Sequence, residues 1–163
     1  MQIETAEIHD AHPDEVAVCD VQFRSFGRRL AFAGPCATLK VYEDHRRAKA
    51  LIEQPGQGRV LVVDAGGSLR VGIMGDSMAA LAAKNGWAGA VIFGAIRDSA
   101  AIDALDFGIK AVGTTARRSA QDLGGAVDAP VAIGGVTFRP GDWVYADRDA
   151  VIVSARRFPE VEI

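Results

Sequence analysis

Gly75-Asp-Ser-Met-Ala-Ala-Leu-Ala-Ala-Lys-Asn-Gly86, followed at once by Trp87-Ala-Gly-Ala-Val-Ile-Phe-Gly-Ala-Ile-Arg-Asp-Ser99, is the stretch on which the fold turns. Met78 to Lys84 is an alanine-rich segment of high helical propensity, with Asp76 or Ser77 as its N-cap and Asn85-Gly86 as its stop. Ala90-Val-Ile-Phe93 is an apolar strand that ends at Gly94. Arg97-Asp98-Ser99 opens a second strand-to-helix junction, in which Asp98 or Ser99 caps a short helix over Ala100 to Leu105. The unit of strand, acidic junction and helix thus occurs twice in succession.

Upstream, Val60-Leu-Val-Val63 is a continuous apolar run, bounded by Asp64-Ala-Gly-Gly67 and followed by the alternating Leu69-Arg-Val-Gly-Ile73. This reads as two strands joined by a glycine hairpin turn. The first third offers a helix over Asp10 to Val18, opened by a cap and a proline. It also offers a second helix over Glu43 to Glu53, solvated on one face and ended by Pro55-Gly56. Downstream, Ile109-Lys-Ala-Val112 precedes a Thr-, Ser-, Arg- and Gly-rich segment from Gly113 to Asp128, a long surface loop suited to covering a site or a subunit contact. The tail returns to β texture at Val131-Ala-Ile133, Val136-Thr-Phe138, Trp143-Val-Tyr145 and Val151-Ile-Val153, with a turn at Arg139-Pro-Gly-Asp142. Trp87, Phe93 and Phe138 read as core, and Trp143 as core or interface. No repeat of 20 to 50 residues is present. The class is mixed α/β, one domain over residues 1–163.

With 163 residues, 49% apolar and 24% charged, the chain suffices for one self-sufficient core and excludes disorder as the main state. Its net charge of -3, from 18 basic and 21 acidic side chains, argues against direct nucleic-acid binding. Cys19 and Cys36 lie 17 residues apart outside any metal-binding spacing and read as buried thiols. The longest charge-free stretch, Asn85 to Ile96, has twelve residues, too few to cross a membrane as a helix. The N-terminus places acids where a signal peptide needs bases, so a cytoplasmic location is expected.

Asp76 and the pair Arg97-Asp98 stand at equivalent places in the two units. If the strands before them are parallel neighbours, both junctions emerge at the carboxyl edge of the sheet, where open α/β folds place ligands. The helix after Asp76 offers the backbone N–H groups of Ser77, Met78 and Ala79 to an anion. Arg97 supplies a planar fork for the same carboxylate. Asp98 is a hard oxygen ligand, suited to Mg²⁺ or Mn²⁺ that keeps several waters. Against this stands a plainer reading, in which each aspartate only caps its helix.

Asp76, twenty intervening residues and then Arg97-Asp98 resembles the signature of the class II pyruvate aldolases that cleave 4-hydroxy-4-methyl-2-oxoglutarate, within the RraA-like family (regulator of ribonuclease activity A). Asp20-Val-Gln-Phe23, Phe26-Gly27, Phe32-Ala-Gly-Pro35, Gly58-Arg-Val-Leu-Val-Val-Asp64, Leu105-Asp-Phe-Gly-Ile109, Gly134-Gly-Val-Thr-Phe138 and Pro140-Gly-Asp142 resemble that family too, over nearly the whole chain. The resemblance implies a swivelling β/β/α domain, a homotrimer with sites near subunit boundaries, and a divalent metal cofactor. It implies that Gly75, Asp76, Ser77 and Met78, through their backbone, and Arg97, through its side chain, bind the carboxylate of a pyruvate-type 2-oxo acid. Asp98 would hold the metal and Asp76 order a water beside it. The expected chemistry is carbon–carbon cleavage to a stabilised pyruvate enolate, with oxaloacetate decarboxylation as a companion activity. The short chain departs from longer aldolases with extra C-terminal helices, which leaves open any acid a neighbouring subunit supplies.

The regulatory branch of the same family implies a different role, a protein-binding inhibitor of RNase E. Members known for regulation can lack the acid after the arginine, and Asp98 is present here. The run Val60 to Gly67 superficially suggests a nucleotide-cofactor loop, but a strand rather than a helix follows it. His9, His12 and His45 read as surface positions, and Arg117-Arg118 and Arg156-Arg157 as partner or subunit contacts without a catalytic role.

Overall fold

The two apolar runs at the centre of the chain become neighbouring parallel strands buried on both faces. A computed structural model describes residues 1–163. In chain order the elements are α1 (Thr5–Ala11), β1 (Val16–Val18), β2 (Arg24–Phe26), β3 (Phe32–Lys40), α2 (Arg46–Ile52), β4 (Val60–Asp64), β5 (Gly72–Met74), α3 (Asp76–Lys84), β6 (Gly89–Ile96), α4 (Ser99–Asp103), β7 (Ile109–Thr114), β8 (Ala126–Val127), β9 (Val131–Ile133), β10 (Val136–Phe138), β11 (Trp143–Ala146) and β12 (Val151–Ser154). Ten strands form one mixed sheet in the order β1-β12-β11-β3-β4-β6-β7-β2, with β5 added to β6 and β8 to β3. Its middle, β3-β4-β6-β7, is parallel. Strand β3 is the seam, since Phe32–Pro35 pair antiparallel with β11 and Cys36–Lys40 pair parallel with β4.

Alternation along β4 explains why Val60-Leu-Val-Val63 is apolar throughout. Leu61 and Val63 pack with Ile92, Ala48, Ile52, Ala79 and Ile102 under the helices α2, α3 and α4. Val60 and Val62 point the other way, into a second cluster with Val91, Val131, Ile133, Phe138, Val144 and Val153. Helices cover one face of the sheet and the β9–β10 hairpin with β11 and β12 closes the other. A strand buried on both sides has no solvent face on which to carry polar residues. Gly134 and Gly135, with φ of 58° and 80°, supply the two left-handed residues of the β9–β10 turn. A smaller cluster of Ile8, Tyr145, Phe158 and Val161 seats both terminal segments.

Several expectations need correction. The helix expected over Asp10 to Val18 lies earlier, at Thr5–Ala11, and Pro13 follows its C-cap His12, stopping the helix instead of opening one. Val16–Val18 pairs with β12. No hairpin joins Val60–Val63 to the segment after Gly67: β5 runs parallel to β6, Gly72 opposite Ala95, in the lane that β4 leaves at Asp64. Leu69 and Arg70 lie outside the strand, where Glu43 accepts hydrogen bonds from Ser68 (2.9 Å) and Arg70 Nε (2.5 Å). The helix after Asp98 spans Ser99–Asp103, shorter than Ala100 to Leu105 would suggest.

Other readings agree with the structure. Trp87 and Phe138 are buried, while Phe93 and Trp143 are half-buried. Cys19 and Cys36 are free buried thiols, and burial, with Asp142 nearby, pushes the Cys36 thiol up to about 12. No helix is long and apolar enough to cross a membrane. Arg156 meets Glu15 of its own chain through Nε (2.7 Å) and Nη2 (2.9 Å).

Candidate active site

Strands β5 and β6 are parallel neighbours, so the junctions after them open on the same edge of the sheet. Arg97 N–H donates to Met74 O at 3.0 Å, which carries the ladder one step past β6 and ties the second junction to the first. Two glycines on the first junction make room for two side chains of the second. A Cβ on Gly72 would lie 2.9 Å from Arg97 Cγ, and one on Gly75 would lie 2.7 Å from Asp98 Oδ2. The arginine stem and the aspartate carboxylate therefore fold back over the chain that leads into α3. Asp98 itself sits in the left-handed region, φ 61° and ψ 40°, a conformation that aspartate tolerates better than most residues and that turns its carboxylate away from α4.

Asp76, Arg97, Asp98, Gly75, Ser77 and Met78, the residues singled out from the sequence, all line one cavity of about 300 Å³. Asp98 is the N-cap residue of α4, as expected, but neither aspartate's side chain makes a cap hydrogen bond to its helix. The N-cap of α3 is Gly75, Asp76 is the first helical residue, and no side chain caps α3 or α4. Asp76 Oδ1 instead accepts from Ser77 N–H at 2.8 Å, and Asp98 Oδ2 accepts from Asp76 N–H at 3.3 Å. The plain capping reading holds for the position of Asp98 and fails for the bonding of both side chains.

The amides are distributed differently from the expectation. Ala79 N–H closes the first turn onto Gly75 O, and Ser77 N–H is taken by Asp76, leaving Met78 N–H free of protein partners. Arg97 Nε is buried without any hydrogen-bond partner. A buried donor left unmade costs about 1–3 kcal/mol, more when it is charged, so this guanidinium is poised for an acceptor from outside the chain. Donor and free amide together describe a carboxylate site at the positive end of α3.

The residues able to hold a cation are Asp98 and Asp76, both oxygen donors, with no cluster of three or more metal-ligating side chains around them. That set fits a hard, hydrated divalent ion bound through one or two carboxylates and completed by substrate oxygens.

Three residues on the opposite wall were not assigned to a site from the sequence. His45, Lys49 and Arg118 line the same cavity. They arrive there through a clamp between the start of α2 and the loop after β7. Asp44 Oδ2 accepts from Leu123 N–H at 2.8 Å, His45 Nδ1 bonds Ser119 Oγ, Arg46 donates to Gln121 O at 2.6 Å, and Arg47 pairs with Asp122. Four consecutive residues, Asp44 to Arg47, each grip the loop and act as a fastening, while the solvated face expected of this helix is carried by Lys49 and Ala50. Asp44 is fully buried; burial pushes its carboxyl up, but hydrogen bonds from Arg46 and Leu123 amides and the Arg46 guanidinium outweigh this and hold it below the ordinary range. Burial, then Arg118 and Arg46, push the His45 imidazole below its ordinary value. The only sequence sign of this wall is the charge run itself, whose partners lie some seventy-five residues away.

The fold and the cavity define an α/β domain with a polar cavity at the carboxyl edge of its parallel strands. The chain belongs to the RraA-like family: the family model described as Aldolase/RraA matches residues 5–153. It is 47% identical over 154 residues to a protein of Aromatoleum aromaticum named "Putative 4-hydroxy-4-methyl-2-oxoglutarate aldolase", covering 94% of this chain and 97% of that one. Among solved structures, the RNA-processing inhibitor RraA from Thermus thermophilis superposes with a TM-score of 0.93 at 36% identity, covering 98% of this chain and 97% of that one. A protein of Geobacillus kaustophilus named as an S-adenosylmethionine: 2-dimethylmenaquinone methyltransferase matches with the same TM-score, 0.93, at 42% identity, covering 95% of this chain and 96% of that one.

Proposed function

We propose that the protein is a divalent-metal-dependent carbon–carbon lyase that cleaves 4-hydroxy-4-methyl-2-oxoglutarate to two pyruvates and decarboxylates oxaloacetate. The observation that carries this reading is the cradle of Gly72 and Gly75, which seats Arg97, its Nε buried and unpartnered, and Asp98 side by side in the lining of one cavity. Arg97 and Met78 N–H hold the 1-carboxylate of the 2-oxo acid, helped by the positive end of α3. Asp98, with Asp76, is the place for Mg²⁺ or Mn²⁺, which when bound supplies Lewis acidity toward the 2-oxo group. Asp76 orders the water that takes the 4-hydroxyl proton. The C3–C4 bond then breaks, its electron pair passes to C3 and the 2-oxo group, and one pyruvate leaves from the C4 half. Protonation at C3 yields the second pyruvate. In oxaloacetate the same bond breaks with loss of carbon dioxide, and no hydroxyl proton has to be moved. The protein would work in the cytoplasm as a homotrimer of swivelling β/β/α domains.

The test is pyruvate release from both acids with Mg²⁺ or Mn²⁺ against excess chelator. Release should depend on the metal, be lost in Asp98→Ala, and fall by about 100-fold or more in kcat/KM in Arg97→Ala, with both variants folded. Release no greater than the free-metal background would sink the lyase reading. The similarity to the Thermus inhibitor favours a second role, a contact with RNase E. Inhibition of that nuclease that persists in Asp98→Ala would establish it. Methyl transfer is not proposed: after Gly66 and Gly67 the chain enters bends and β5, with no helix N-terminus to face a nucleotide-like cofactor.

A further inference from the structure

The wall facing Arg97 carries more positive charge than its surroundings need. Arg46 and Arg47 are neutralised by Asp44 and Asp122, but Lys49 and Arg118 take part in no ion pair. Both face the cavity that holds Asp76, Arg97 and Asp98, and with His45 they also line an adjoining cavity of about 550 Å³. Ser119 sets the state of the imidazole. Its buried Oγ accepts His45 N–H at 3.4 Å and bonds the ring Nδ1, and its hydroxyl hydrogen has no other acceptor. With that hydrogen on Nδ1, the neutral ring carries its own proton on Nε2 as a donor.

Resting on the lyase reading, we infer that Lys49, Arg118 and the Nε2–H of His45 form a second subsite, which binds the distal carboxylate of a dicarboxylic 2-oxo acid. Arg97 takes the carboxylate beside the 2-oxo group, and this wall takes the other. The three cations Arg97, Lys49 and Arg118 against the two carboxylates Asp76 and Asp98 leave a positive surplus before any metal binds, which favours a dianion over a monoanion. The subsite makes the protein selective for acids with a second carboxylate and places the scissile bond between its two anchors.

The test is calorimetric binding, in the presence of Mg²⁺, of 2-oxoglutarate, which has both carboxylates but no 4-hydroxyl, against pyruvate, which has one. The native protein should bind 2-oxoglutarate about tenfold or more tightly than pyruvate, the size expected of one charge-assisted contact. Lys49→Ala and Arg118→Ala should each shrink that preference while pyruvate affinity stays within about twofold, Arg118→Lys should restore part of it, and Arg97→Ala should weaken both acids. Equal affinities in the native protein, failure to bind either acid, or equal losses for both acids in the two alanine variants would overturn the subsite. Selective binding of 2-oxoglutarate by a protein that releases no pyruvate would overturn the lyase reading and leave the subsite standing.

Discussion

Gly75 shows how much of the cavity rests on single atoms. Its φ of -110° and ψ of -174° suit any residue, so alanine meets no backbone strain there; the obstacle is the Asp98 oxygen 2.7 Å from the new Cβ. Gly75→Ala should keep the fold and stability while displacing the carboxylate, lowering kcat/KM by about 10- to 100-fold, as steady-state kinetics beside thermal melts would report. His45 gives a pH signature. Burial, and after it Arg118 and Arg46, hold its folded value below the ordinary 6.5. The unfolded chain therefore binds the proton more readily, and the ring's contribution to stability is complete above its ordinary value and lost as pH falls through it toward the folded one. Urea midpoints measured from about pH 5 to 8 should decline on the acid side, and His45→Asn should remove that part of the slope.

At the level of elements, the four-residue clamp between α2 and the loop after β7 is polar throughout, and buried Asp44 is its centre. Asp44→Ala leaves the Leu123 and Arg46 backbone N–H groups without their acceptor and should cost about 1–3 kcal/mol by denaturant unfolding. It should also raise the rate of trypsin cleavage after Arg117 and Arg118, since the loop is then free to leave α2. The same element marks the limit of what the chain discloses by itself. Strand and helix texture around Asp76 and Arg97-Asp98 is local, written within a few residues, and their convergence follows from parallel pairing of the two strands. Ser119 binding His45, or Gln121 accepting from Arg46, is a pairing across a long separation, and no periodicity in either segment announces it. The glycine pair at Gly66-Gly67 misleads for a related reason: a hairpin would reverse the chain there, but β5 keeps the direction of β4 and pairs with β6, while Glu43, from another part of the chain, holds Ser68 and Arg70 in the segment between the two strands.

For the molecule as a whole, the parallel strands β4 and β6 are the common floor of both clusters, so their side chains bear on every layer. Ile92 is fully buried under the helices, and Ile92→Ala should lower the unfolding free energy by about 2–5 kcal/mol, measured by urea titration. Lys49→Ala, at the exposed surface of α2, should change it by less than about 0.5 kcal/mol. That contrast follows from how the cavity is founded. One wall, Gly75 to Met78 with Arg97 and Asp98, grows from strand ends embedded in the core and cannot shift without disturbing the sheet. The other, Lys49 and Arg118, hangs on a short helix and a fastened loop. Substitutions in the suspended wall therefore leave the embedded wall in place, so the two can be altered independently. A cavity built on this plan separates the part that can be remodelled cheaply from the part that the core holds fixed.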